Sequence, residues 1–130
     1  MKLEFCSTGS SDCPLIILYG DDTTVLNSLI NSIRLLIDDH MQLFVNENSG
    51  IIAKNLIFKF DLGKDSQIVE NDKDSYALLL SKDGWEVVLE LLGTLTTKGN
   101  ENTYQWICGK EGYFPSEIGF LVSNKTHANW

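Results

Sequence analysis

The sequence has a single arginine, Arg34, and its ten basic residues are outnumbered by eighteen acidic ones, giving a formal net charge of −8. Nucleic-acid binders carry a cationic surface that displaces counterions from phosphates, and anionic membranes attract similar clusters of lysine and arginine. The sequence therefore predicts no nucleic-acid partner and no membrane partner. An acidic chain suits a basic protein partner, although moderate acidity also simply aids solubility.

Cysteines are also few, and Cys6, Cys13 and Cys108 include no closely spaced pair. An odd number of separated cysteines argues against a disulfide framework. No apolar stretch approaches the ~20 residues that span a bilayer, and the first residues lack the apolar core of a signal peptide. These absences together predict a cytoplasmic protein.

Catalytic motifs are missing as well. With two histidines, His40 and His127, the sequence has little from which to build a nucleophilic triad, and it contains no Gly-x-Ser-x-Gly elbow. It has no phosphate-binding Gly-x-x-x-x-Gly-Lys-Ser/Thr pattern, and its cysteines and histidines lack metal-ligand spacing. We therefore predict that the protein is not an enzyme, and that it has no catalytic residues, no metal site and no cofactor.

The apolar pattern predicts two helices among many strands. Apolar residues at helical spacing indicate a helix that follows Asp21 and Asp22 and ends near Asp38–His40. They indicate a second helix from about 83 to 95, which Ser81 or Asp83 can cap. The apolar run at 14–19 is typical of a strand buried on both faces. Further strands are predicted at 2–6, 41–46, 51–62, 67–70, 75–81, 103–108 and 119–124. The prediction is a single α+β domain over residues 1–130, with two amphipathic helices packed on one face of a mainly antiparallel sheet.

The tetrapeptide Tyr19-Gly20-Asp21-Asp22 resembles the metal-binding motif of viral RNA-dependent RNA polymerases. That resemblance implies paired aspartates on a turn between two strands, holding divalent metals. Helical periodicity follows Asp22 here, and the chain is far shorter than a polymerase. We interpret the glycine as the end of a strand and the aspartates as the start of a helix, where a carboxylate accepts from unpaired N–H groups.

Two groups of residues are the candidates for partner binding. The segment 61–74 holds five acids and only two lysines, on a predicted loop or edge strand. Tyr113 and Phe114 stand together in a loop of the aromatic C-terminal third, and aromatic residues are common both in interfaces and in cores. The predicted partner-binding residues are Asp61, Asp65, Glu70, Asp72, Asp74, Tyr113 and Phe114.

These features favour a small, acidic, non-enzymatic binding protein. The sharpest form of the hypothesis is an immunity-type or antitoxin-type inhibitor, whose acidic residues dock on a basic toxin or nuclease. Two alternatives remain open. One is a small-ligand-binding or regulatory domain with a pocket between sheet and helices. The other is a structural subunit that forms a homodimer.

Overall fold

The computed structural model describes residues 1–8, 11–97, 104–110 and 112–125, and within these ranges it has two helices and nine strands. The predicted α+β class is confirmed. His127 and Trp130 lie outside the described residues. The helices are α1 (Thr23–Asp39) and α2 (Lys82–Thr96), and Val45–Glu47 form a 3-10 turn. The strands are β1 (Lys2–Cys6), β2 (Leu15–Tyr19), β3 (Leu43–Phe44), β4 (Ile52–Ala53), β5 (Ile57–Leu62), β6 (Gln67–Asp72), β7 (Ser75–Leu80), β8 (Tyr104–Cys108) and β9 (Gly119–Ser123).

The strands form two mixed sheets, whereas the sequence predicted one mainly antiparallel sheet. Sheet A has the order β4-β1-β2-β9-β8, and sheet B has the order β3-β5-β7-β6. The pairs β1–β4, β2–β9 and β5–β7 are parallel. The difference arises because α1 carries the chain from sheet A to sheet B and α2 carries it back. The apolar pattern of a strand predicts which of its faces is buried, but it does not predict which other strand it pairs with.

The segment 51–62 shows the same limit on a smaller scale. The sequence predicts one long strand there, in a hairpin with 41–46. In the structure only its second part, β5, pairs with β3, with Leu43 opposite Phe60. Its first part, β4, pairs with β1 in the other sheet. The intervening residues 54–56 carry the chain between the two sheets.

Both helices begin as the sequence predicts. Asp22 precedes α1, and its carboxylate accepts a hydrogen bond from the Val25 N–H at 3.2 Å. Ser81 precedes α2, and its hydroxyl accepts from the Gly84 N–H at 3.1 Å. Side-chain acceptors at this position satisfy N–H groups that the first helical turn leaves unpaired. Neither helix in the described part of the chain has the length and apolar character needed to cross a bilayer.

The main core lies between the inner faces of the two sheets and the apolar sides of both helices. Phe58 from sheet B meets Phe120 from sheet A with ring centroids 5.1 Å apart and nearly perpendicular planes. Phe60 lies against the fully buried Trp85 of α2 at 4.7 Å. The Trp85 indole N–H donates to the Asp61 carbonyl at 3.0 Å, so the largest core side chain leaves no polar atom unpaired.

The outer faces of the two sheets differ in exposure. On sheet A, Leu15, Ile17 and Leu121 are fully buried in a second apolar cluster, against which Cys6, Cys13 and Trp106 pack. The prediction that β2 is buried on both faces is therefore confirmed. On sheet B, Ile57 points outward and is 49% exposed. The outer face of sheet B is thus open to solvent at Ile57, and that of sheet A is open at Ile52 of β4, which is 66% exposed.

Candidate interaction surface

The structure divides the predicted acidic segment between two ends of sheet B. Asp61 lies near the end of β5, and Asp65 lies in the turn that leads into β6. Glu70, Asp72 and Asp74 lie at the far end of β6 and in the turn to β7. Asp61 lies level with Leu79 and Glu70 with Tyr76, so the nearest members of the two groups are three residues, or about 10 Å, apart along the strands. The five acids are therefore two separate groups.

One of these ends collects acidic residues from three further positions in the chain. Strands β5 and β7 are parallel, and Leu62 pairs with Leu80, so both strands end at the same edge of the core. Helix α2 begins directly after β7, and Asp83 lies in its first turn. Asp83 is therefore brought to the end of the molecule that holds Asp61 and Asp65.

Helix α1 ends at the same place. β3 is antiparallel to β5 with Leu43 opposite Phe60, so the residues between α1 and β3 lie beside the carboxyl end of β5. Asp38 and Asp39 are the last two residues of α1, and both are exposed. We call this region the aspartate end and define it by five residues. They are Asp38, Asp39, Asp61, Asp65 and Asp83.

The aspartate end is electrostatically uncompensated. Lys64 and Lys82 are the lysines within it, so five carboxylates leave three net negative charges. None of the five aspartates forms an ion pair with another described residue. Asp38 and Asp39 also lie at the negative end of the α1 dipole, where a carboxylate destabilises the helix. The arrangement concentrates negative charge at this end at a cost to the stability of α1.

Tyr113 and Phe114 divide between surface and core. Tyr113 is 61% exposed, whereas Phe114 is half-buried and packs against the main core. Their rings are 4.9 Å apart. A Cβ placed on Gly84 would lie 3.5 Å from the Phe114 ring, which puts the ring against the first turn of α2. Tyr113 is thereby held beside the aspartate end, and Phe114 anchors it.

A second polar group lies on the outer face of sheet A. The Glu4 carboxylate accepts from the Tyr19 hydroxyl at 3.1 Å and forms an ion pair with Lys54 at 3.2 Å. Burial acts to raise the pKa of Glu4, but the hydrogen bonds from Lys54 and Tyr19 and the charge of Lys54 outweigh it and lower the pKa. The pKa of Lys54 is raised by the Tyr19 hydroxyl and the Glu4 carboxylate. The charges and hydrogen-bonding atoms of Glu4, Tyr19 and Lys54 are therefore paired with one another.

The thiols are poor nucleophiles in their present surroundings. Burial raises the pKa of Cys108 to about 12. Burial also raises the pKa of Cys6, and the nearby Glu4 carboxylate and Cys13 act in the same direction. Because the thiolate is the reactive form, these pKa shifts do not favour a catalytic role for either residue.

The Tyr19-Gly20-Asp21-Asp22 motif has a local structural explanation. Asp22 caps α1, as described above, and Gly20 has φ 146° with its N–H donating to the Ser123 carbonyl at 3.2 Å. The chain therefore turns from β2 directly into a helix. A second strand, which the polymerase arrangement requires, does not follow Asp22.

A cleft of about 350 Å³ lies between α1 and the segment that follows it. Polar side chains line most of it, and the buried Asn48 accepts there from the Ser32 hydroxyl at 3.3 Å. Small-molecule sites are usually mostly apolar, with a few polar groups for orientation. The composition of this cleft does not favour the small-ligand alternative.

Sequence reasoning missed the contributions of Asp38, Asp39 and Asp83 to the aspartate end. They lie 22 or more positions away from Asp61. The pairing of β3 with β5 brings Asp38 and Asp39 to it, and the parallel pairing of β5 with β7 brings Asp83. One signal was available, because two aspartates at the end of a helix oppose the helix dipole without any local benefit.

The fold and the surface define an α+β protein with two mixed sheets and one strongly acidic end. No protein-family model, curated protein sequence or solved structure matches this chain.

Proposed function

We propose that the protein is a non-enzymatic binding protein whose aspartate end docks on a basic protein. The observation that carries the proposal is the grouping, at one end of the fold, of five aspartates without ion pairs from α1, β5, the β5–β6 turn and α2. Complementary charge accelerates encounter and selects partners of opposite sign. Exposed Tyr113 supplies an amphipathic contact next to the charges, as aromatic residues commonly do in interfaces.

Within this class, the best-supported function is immunity-type or antitoxin-type inhibition of a basic toxin or nuclease. Such an inhibitor needs a rigid acidic surface that occupies a cationic active site, and it needs no catalytic group of its own. The two helices and β5 hold four of the five aspartates on regular structure, and Asp65 lies in the turn that follows β5. Cytoplasmic residence belongs to the same proposal and agrees with the free thiols Cys6 and Cys108.

The test compares two double variants with the same change in charge. Asp39→Lys/Asp65→Lys alters the aspartate end. Asp21→Lys/Glu47→Lys alters exposed positions outside it, one just before α1 and one beside the middle of α1. Each protein is used as bait in native lysate of its source, at low and at high salt. We expect the wild type and the control variant to capture the same basic protein. The aspartate-end variant is expected to capture about tenfold less, and high salt to weaken capture by the wild type.

Inhibition is then measured by titrating the captured protein's activity. We expect activity to fall linearly and to end at an equimolar ratio, because a non-catalytic inhibitor acts by occupancy. Capture that is equal for both double variants, or indifferent to salt, would contradict the proposed docking surface. If far less than one equivalent of the bait protein abolished the activity, the bait would be acting as a catalyst. That result would contradict the non-enzymatic class.

A further inference from the structure

Three of the four sheet edges are closed within the described part of the chain, two of them by an asparagine side chain and one by a loop. At the β4 edge of sheet A, β4 pairs only with Lys2 and Leu3. Beyond it, the side-chain amide of Asn55 takes the place of a neighbouring strand. Its Oδ1 accepts from the Phe5 N–H and its Nδ2 donates to the Phe5 carbonyl, both at 2.8 Å.

The β3 edge of sheet B is closed in the same way. β3 contributes only two residues to the pairing with β5. Beyond them, Asn46 accepts from the Phe58 N–H at 2.8 Å and donates to the Leu56 carbonyl at 2.7 Å. A side-chain amide that bonds both groups removes the edge as a template for another strand.

The β8 edge of sheet A is covered by the loop between β8 and β9. The Phe114 N–H donates to the Ile107 carbonyl at 3.0 Å, and the Gly109 N–H donates to the Phe114 carbonyl at 3.0 Å. Tyr113 adds a longer bond, 3.4 Å, from its N–H to the Trp106 carbonyl. This loop occupies the edge that another strand would need.

The edge formed by β6 is the exception. It is six residues long, and β7 is the strand that pairs with it. No described residue outside β7 makes a backbone hydrogen bond to Gln67–Asp72. An edge of this length presents a row of N–H and C=O groups that can pair with another extended chain.

A bulge determines how β6 presents its charges. Glu70 pairs with the core residue Tyr76, and Asp72 pairs with Ser75 on the outer face. Asn71 is the extra residue between them, so Glu70 and Asp72 lie on opposite faces although they are two positions apart. In a regular strand such residues would share a face. Burial, Glu70 and Asp74 raise the pKa of Tyr76, in agreement with carboxylates near this edge.

Two apolar residues precede the carboxylates and also lie on opposite faces. Ile68 pairs with Leu78 on the core side, and Val69 pairs with Ala77 on the outer side. Each face of β6 therefore shows one half-buried apolar side chain followed by one exposed carboxylate. On each of its faces, a chain that pairs with this edge therefore needs one apolar side chain and one cationic side chain.

We propose that the β6 edge binds an extended segment of a basic protein, in which two adjacent cationic residues adjoin two adjacent apolar residues. The cations face Glu70 and Asp72, and the apolar residues face Ile68 and Val69. Backbone hydrogen bonds to β6 supply affinity and the charges supply selection. A second copy of this chain is disfavoured, because it would bring four carboxylates into one two-stranded ribbon. The inference rests on the proposed function only in taking the partner to be basic.

The test uses a capped synthetic peptide centred on Lys-Lys-Val-Val, titrated into isotope-labelled protein and followed by amide NMR. The control peptide is centred on Lys-Val-Lys-Val, which has the same composition but places both lysines on one face. We expect amide shift changes confined to β6 and its partners in β7. The control peptide is expected to bind about five- to tenfold more weakly, because opposite charges directly across a strand pair are favourable.

Charge reversal in the protein completes the test. The variant Glu70→Lys/Asp72→Lys is expected to bind the Lys-Lys-Val-Val peptide about fivefold or more weakly than wild type. It is expected to bind a Glu-Glu-Val-Val peptide instead. The neutral variant Glu70→Gln/Asp72→Asn should also bind the lysine peptide more weakly than wild type. It keeps the test decisive if the charge-reversed variant does not fold.

Equal affinity for the two lysine peptides, or shifts away from β6, would overturn the inference. So would β6 shifts that depend on protein concentration without peptide, which would identify a second copy as the occupant. If the peptide fails while Asp39→Lys/Asp65→Lys still loses its basic partner, the proposed function stands and the β6 edge has no part in it.

Discussion

Sheet A and sheet B are built from similar strands but meet solvent differently. Sheet A buries its inner face and the centre of its outer face, where Ile17 is fully enclosed, and it leaves Ile52 of β4 exposed. Side-chain amide or loop hydrogen bonds are made along part of each of its edges. Sheet B buries its inner face against the same core, but leaves Ile57 exposed and the β6 edge open. The described acidic residues of sheet B form no ion pair, whereas Glu4 on sheet A is paired with Lys54.

Sheet A therefore mainly stabilises the fold, whereas sheet B also leaves backbone and charged groups exposed to solvent. An enclosed sheet contributes stability and has no group left with which to bind a partner. A half-open sheet contributes less burial, and its free edge and charges remain available. The β6 edge has no covering segment in the described chain, and it carries a bulge and exposed carboxylates, which restrict the strands that can pair with it.

The largest expected effect is a contrast between the outer faces. Ile17→Ala removes a fully buried side chain from sheet A and should lower the free energy of unfolding by about 2–5 kcal/mol. Ile57→Ala makes the same change at a half-exposed position on sheet B and should cost less than about 1 kcal/mol. Urea denaturation of both variants measures the contrast. Equal losses would mean that the outer face of sheet B is as enclosed as that of sheet A.

The sheet edges give the second contrast. Asn46→Ala leaves the Phe58 N–H and the Leu56 carbonyl without the partners they have in the native protein, and should cost about 1–3 kcal/mol. Asn71→Ala, at the exposed bulge of β6, should change stability by less than about 0.5 kcal/mol. Amide exchange at Phe58 should accelerate only in the first variant. An unchanged exchange rate there would show that the amide of Asn46 does not close the edge.

The aspartate end predicts a stabilising substitution. Asp39→Lys places a cation in the last turn of α1 and should raise stability by about 0.3–1 kcal/mol while weakening capture of a basic partner. The matched change Asp21→Lys, just before the first turn, should lower stability by a similar amount and leave capture intact. Thermal unfolding of the two variants checks the opposite signs. A loss of stability in Asp39→Lys would contradict the dipole argument.

The smallest expected effect concerns the paired carboxylate of sheet A. Because the pKa of Glu4 is lower in the folded protein than its ordinary value of 4.5, its contribution is complete above pH 4.5. That contribution is lost as the pH falls through the lower folded pKa. Wild type should exceed Glu4→Gln by up to about 1 kcal/mol at neutral pH, and the gap should close well below pH 4.5. A gap that is independent of pH would assign the effect to packing.

Local structure was predictable where one short segment determines it. The apolar spacing of α1 and α2, the caps at Asp22 and Ser81, and the burial of β2 all depend on neighbouring residues. Pairing was not predictable, because β4 and β5 lie in different sheets although one apolar segment contains both. The aspartate end depends on that pairing, and the roles of Asn46 and Asn55 depend on strands that lie elsewhere in the chain.

The most direct test of the account is hydrogen–deuterium exchange on the complex with a captured basic protein. Compared with the free protein, we expect new protection in the complex at residues 61–72, at the end of α1 and at the start of α2. We expect no change along β1, β2 and β9. Protection of sheet A with unchanged exchange in β6 and at the aspartate end would contradict it.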